Sequence, residues 1–241
     1  MARKPKVFLG VGHGGNETGA VANGFKEKDV NLTIALACAA ELDRHGVEVL
    51  MSRYKDEEDG LREEIRECNA FDPDLAGDIH NNAGGGDGAE VFYHYKGGTG
   101  KILAEDILEE IVAIGQNSRG AKTRVEDGVD YYGFIRETAC PAVIVECAFL
   151  DNKTDLAIID TEAEQKAMGV AIAKGFLKTL GIAYLPEKKP AQLESGNTLY
   201  AVCLGFETTK KDEAVAQLEK ALAAGFQNAF LISTTKSVLK G

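Results

Sequence analysis

Apolar and polar positions along the first three quarters of the chain switch between two periods, and the switching predicts an α/β fold. Five short runs rich in apolar and β-branched residues read as strands: KVFLGV at 6–11, VEVLMS at 47–52, DLAGDIH at 74–80, AEVFYHY at 89–95 and AVIVECAF at 142–149. Between them apolar residues recur every three or four positions. Val30, Ile34, Cys38 and Leu42 do so before Gly46, Leu103, Ile107, Ile111 and Ile114 do so further on, and Met168, Ile172, Phe176 and Leu180 do so before Gly181. That spacing places each set on one face of a helix, and a following glycine marks a helix end. Strands separated by helices imply a twisted, largely parallel (mixed) sheet with helices on both faces.

The pattern stops after Gly181. The stretch AYLPEKKPAQLESGN has two prolines, two lysines and no apolar period, which marks a linker at 182–196. Beyond it, Tyr200, Val202, Leu204 and Phe206 alternate as in a strand, Val215, Leu218 and Leu222 fit a helix, and GFQNAFLIS reads as a second strand. The expected organisation is therefore a large α/β domain at 1–181 and a small α+β module at 197–241.

Composition narrows the partners. A hydrophobic content of 44% over 241 residues supports a substantial core, and a net charge of −11 lacks the basic footprint of a nucleic-acid binder. Five cysteines, an odd number with no CxxC pair, read as reduced, mostly buried small hydrophobes. The basic start MARKPKVFLGVG carries an apolar stretch too short for a signal-peptide core, and no later stretch is long enough to insert in a membrane. Synthesis in the cytoplasm without a signal peptide is the expectation.

Four residues carry candidate chemistry. His13 in GVGHGG and His80 in DIHNNAGGG each sit where a strand runs into a glycine-rich turn; Glu27 opens a helix, and Glu146 lies inside an apolar strand. Taken singly, each has an ordinary reading: a turn-capping histidine, a glutamate favoured by the helix dipole, a buried glutamate with a structural partner. Taken together they are two histidines and a carboxylate able to hold a tetrahedral zinc with one open position, plus a separate carboxylate for proton transfer. His13, His80 and Glu146 all fall near strand carboxyl ends, where an open α/β sheet collects functional side chains.

The segments GHGG, GFKEKDVNL, MSRYKD, LREEIRECNAFDPDLAGDIHNNA, EVFYHY, SRGAKTR and PAVIVECAFLDNKTD resemble, in order and spacing, the zinc-dependent N-acetylmuramoyl-L-alanine amidases of the amidase-3 type over residues 5–181. The resemblance implies that His13, Glu27 and His80 bind Zn2+, that Glu146 is the catalytic carboxylate, and that the substrate is bacterial peptidoglycan, cut between N-acetylmuramic acid and L-alanine. Two positions depart from the family's usual pattern: Asp78 stands where a serine is common, and Cys147-Ala148 follow the glutamate where Val-Gly is common. The tail looks like a shortened sporulation-related wall-binding repeat, so wall anchoring or homodimerisation through it is expected. Without an export signal, such an enzyme reaches the wall through a membrane lesion or cell lysis, as an endolysin or a mother-cell autolysin. The alternatives are a zinc peptidase acting on stem peptides and a non-catalytic wall-binding protein. Arg53 and Arg62 are candidates for contact with stem-peptide carboxylates, or for surface salt bridges with the DEED run.

Overall fold

The computed structural model describes residues 3–186. The expected module at 197–241, residues 187–196 of the linker and Cys203 lie outside the described residues. In chain order the elements are β1 (Lys6–Val11), β2 (Val21–Ala22), β3 (Phe25–Lys26), α1 (Glu27–Arg44), β4 (Glu48–Met51), α2 (Leu61–Phe71), β5 (Leu75–Asn82) and β6 (Ala89–Tyr93). There follow α3 (Thr99–Ala113), β7 (Ser118–Lys122), β8 (Val125–Glu126), β9 (Val129–Asp130), α4 (Gly133–Glu137), β10 (Ala142–Phe149), α5 (Lys153–Leu156) and α6 (Glu162–Thr179).

Six strands form one sheet in the order β4-β1-β5-β10-β6-β7. The first four run parallel, β6 is antiparallel to β10, and β7 is parallel to β6. The sheet is thus mixed and mostly parallel, as the alternation of strands and helices predicts. The five strands and three helices anticipated before residue 182 are present among the described residues.

Side-chain alternation divides the core in two. One face carries Val7, Leu9 and Val11 of β1, Ile79 of β5, and Val143, Val145 and Cys147 of β10, packed with Ile34, Cys38 and Leu42 of α1, Ile107 and Ile111 of α3, and Ile172 and Phe176 of α6. The opposite face carries Phe8, Ala76 and Ile144 against Ile65 and Cys68 of α2 and Phe134 and Ile135 of α4. Helices α1 and α6 meet closely because Gly169 has no side chain; a Cβ there would lie 2.3 Å from the Ile34 carbonyl oxygen. Helix α6 starts on a reciprocal cap in which the Thr161 side chain accepts from the Glu164 backbone and the Glu164 side chain accepts from the Thr161 backbone. No helix among the described residues is long and apolar enough to cross a membrane.

Because β1, β5 and β10 are parallel neighbours, their carboxyl ends open on one edge of the sheet. After β1 and β5 the chain enters glycine-rich turns, and α1 begins at the same edge after the short β2–β3 hairpin. Register does the fine placement. Glu146 of β10 lies directly opposite His80 of β5.

Candidate metal centre

Three residues converge at that edge. His13 follows β1 by two residues and adopts a left-handed backbone conformation (φ 63°), flanked by Gly12 and Gly14. Glu27 is the first residue of α1, brought back to β1 by the β2–β3 hairpin; its backbone N–H donates to the Ala20 carbonyl at 2.8 Å, and the Ala20 N–H donates to Glu27 Oε2 at 2.8 Å. His80 projects from β5, its ring edge-on to that of His13 with centroids 5.2 Å apart. One donor atom from each of His13, Glu27 and His80 lies within 4.8 Å of the others.

The pairwise geometry is specific. His13 Nε2 stands 3.3 Å from Glu27 Oε2, and His80 Nδ1 stands 3.0 Å from Glu27 Oε1. Asn31, one turn along α1 from Glu27, donates to Glu27 Oε1 at 3.4 Å and to the Gly12 carbonyl at 2.9 Å, while the Asn81 backbone N–H reaches Glu27 Oε1 at 3.2 Å. Glu27 is therefore held by both histidines, two backbone groups and an asparagine before any ligand is considered.

Charge follows from this packing. Burial would raise the Glu27 carboxyl, but the hydrogen bonds from His13 and His80 outweigh it and hold the group far below the usual carboxylate range. The hydrogen bond to Glu27 leads in raising His13 above its ordinary value. For His80 burial acts downward, yet the charge and hydrogen bond of Asp78 and the bond to Glu27 leave it well above the ordinary value. Both histidines are thus biased toward their protonated forms around one buried carboxylate. Two imidazole nitrogens and one carboxylate within 4.8 Å of one another suit zinc, so the residues present fit the metal.

Glu146 stands beside this trio without joining it. Its Oε2 is buried with no hydrogen-bond partner. Burial raises its carboxyl to about 7, with His80 opposing and the charges of Glu27, Glu90 and Asp78 reinforcing the rise. A carboxyl poised near neutrality, unpartnered and next to a candidate metal site, is suited to accept and return a proton.

Other candidates sort clearly. Arg53 is only 1% exposed, and its guanidinium donates to the carbonyls of Val11 (3.0 Å), Lys28 (2.7 Å), Lys55 (3.2 Å) and Gly12 (3.4 Å). It braces the His13 turn and is not free to meet a substrate carboxylate. Arg62 is exposed near the start of α2. His45 stays with the end of α1, its Nδ1 against the Glu41 carbonyl at 2.8 Å, and His94 pairs with Asp130 at 2.9 Å. Cys147 faces the opposite side of β10 from Glu146, buried in the core, and burial leads in pushing its thiol well up. It has no nucleophilic role.

Sequence reading passed over Asn31 and Asn81, whose side chains bond each other at 2.8 Å beneath Glu27. The i, i+4 spacing of Glu27 and Asn31 on one helix was the available signal. It also passed over Glu90, which lies opposite Glu146 on β6 and holds Arg119 at 3.0 Å and Lys122 at 2.5 Å.

Comparison with known proteins identifies the family. A family model described as N-acetylmuramoyl-L-alanine amidase matches residues 7–178. The chain is 34% identical over 227 residues to the N-acetylmuramoyl-L-alanine amidase CwlM of Bacillus licheniformis, covering 92% of this chain and 82% of that protein. It is 35% identical over 208 residues to the endolysin of Bacillus phage SPP1, covering 80% and 73%. The solved structure of the N-acetylmuramoyl-L-alanine amidase AmiC2 of Nostoc punctiforme superposes with a TM-score of 0.68 at 28% identity, covering 75% of this chain and 99% of that one. With its mixed six-stranded sheet and its match from β1 to the end of α6, the chain belongs to the N-acetylmuramoyl-L-alanine amidases of the amidase-3 type, enzymes of peptidoglycan.

Proposed function

We propose that this chain hydrolyses the amide between N-acetylmuramic acid and L-alanine with a zinc ion held by His13, Glu27 and His80, and with Glu146 as the proton carrier. The observation that supports this most is the convergence of those three donors within 4.8 Å beside a buried carboxyl oxygen that has no partner. The chemistry a bound zinc supplies in such a site is Lewis acidity, which activates water and polarises the scissile carbonyl.

The protein's own residues do the rest. Glu27, locked by Asn31 and Asn81, keeps a full negative charge on the cation. Glu146 takes a proton from the attacking water and delivers it to the amide nitrogen as the carbon–nitrogen bond breaks. The products are a lactyl carboxylate on the glycan and a free L-alanine amino terminus on the peptide. Proton transfer by a positioned side chain contributes on the order of 10²- to 10⁴-fold to rate.

The proposal extends to the biological setting. A phage endolysin and a Bacillus amidase stand among its relatives, which favours wall lysis as the purpose. Dialysis of the purified protein against a strong chelator should abolish hydrolysis of peptidoglycan, and added zinc should restore it. Full activity in protein shown by elemental analysis to contain no metal would refute the mechanism.

A further inference from the structure

His80 has two ring nitrogens, and both are engaged. Nδ1 lies 3.0 Å from Glu27 Oε1, where the three donors meet, while Nε2 points away and lies 3.0 Å from Asp78 Oδ2. Asp78 precedes His80 by two residues on β5, so the two side chains share one face of the sheet. Asp78 is buried, and its second oxygen, Oδ1, lacks a conventional partner.

A second carboxyl sits at the same place. Glu64 of α2 is buried, and its Oε1 also has no hydrogen-bond partner. Both acids lie over Gly10, the residue opposite Asp78 on β1. A Cβ at Gly10 would stand 1.8 Å from Glu64 Oε1 and 2.8 Å from Asp78 Oδ1, so only glycine leaves room for the pair. Burial, followed by the charge of Asp78, pushes the Glu64 carboxyl well above the usual range.

We infer that Asp78 is a positioning residue for the metal: its carboxylate accepts the His80 Nε2–H, fixing the tautomer that presents the Nδ1 lone pair. This rests on the proposed ligand set above. Carboxylates that accept from a ligating imidazole orient the ring and raise its basicity, and their loss typically weakens metal binding by about 10- to 100-fold. A neutral side chain at this position would offer only a weaker bond to the imidazole. The carboxylate in this chain is a device for holding metal more tightly.

The test uses the full chain and zinc alone. Zinc affinity is measured by competition with a chromophoric chelator for the unaltered protein, Asp78→Asn and Asp78→Ser, with circular dichroism as the check on folding. Both Asp78 variants should bind zinc about 10- to 100-fold more weakly. Folded Asp78 variants with unchanged affinity would overturn the inference. A second measurement needs no variant: long-range ¹H–¹⁵N spectra of the zinc-loaded protein should show His80 metallated at Nδ1 and protonated at Nε2. Metallation at Nε2 would overturn the inference even if the Asp78 variants fail to fold. An unaltered protein that binds no zinc would bring down the ligand set itself, whereas a normal zinc site indifferent to Asp78 would remove only the role given to Asp78.

Discussion

Replacing Glu146 by glutamine separates three properties that the site combines. Burial, against the pull of His80, raises this carboxyl to about 7 from an ordinary 4.5. That gap corresponds to at most about 3 kcal/mol, an upper bound because part of Glu146 reaches solvent. Between pH 4.5 and 7 the unfolded chain has released this proton and the folded chain still holds it, so stability of the metal-free protein falls as pH rises through that window. Glutamine carries no charge and escapes the penalty. Urea denaturation of the metal-free proteins should therefore find Glu146→Gln more stable than the unaltered chain by up to about 3 kcal/mol near pH 8, with the difference vanishing near pH 4. In the zinc-loaded proteins the same substitution should leave metal stoichiometry unchanged and lower turnover by about two to four orders of magnitude. A stability difference that does not depend on pH would refute the reasoning on burial. Loss of zinc would make Glu146 a ligand, and retained turnover would make it structural.

Further expectations concern the support around the site. Glu27→Gln removes the anionic donor, so zinc content after gel filtration should drop well below one ion per chain; an unchanged content would show a solvated glutamate rather than a ligand. Arg53→Met leaves the carbonyls of Val11 and Lys28 without the buried guanidinium and Gly12 with Asn31 alone, and should cost about 3 kcal/mol in urea denaturation, with activity lost through the His13 turn. Truncation after Pro186 keeps all the described elements, so hydrolysis of soluble muropeptides should persist while binding to whole walls, measured by cosedimentation, weakens.

The parts of the fold that sequence made legible are those whose physics is local. Strand β10 is buried on both faces, so it reads as a continuous apolar run, and α6 shows its core face as Met168, Ile172 and Phe176. Helix α2 hides because LREEIRECNAF buries only Glu64, Ile65 and Cys68, one of them a carboxyl. Strand β7, SRGAK, is an edge strand paired on one side only, and its polar composition gives no strand signal. The same division holds at the site. His13, His80 and Glu146 stand out because each interrupts a glycine-rich or apolar stretch, whereas Glu27 sits in the charged run KEKD and gains meaning only from the other three. Arg53 misleads, because three of its four acceptors lie on β1, the following turn and α1, far from it in sequence. The Asp78–His80 pair follows from strand alternation, but the approach of Glu64 depends on how α2 crosses Gly10, which is a fact of packing alone.

The central claim is tested most directly by mass spectrometry of purified peptidoglycan digested with the zinc-loaded chain. The expected products are intact glycan strands and peptides with new L-alanine amino termini, absent after chelation and restored by zinc. New termini elsewhere in the stem peptide, with the muramyl–alanine amide intact, would show a peptidase and contradict the account; the same products from metal-free protein would contradict its mechanism.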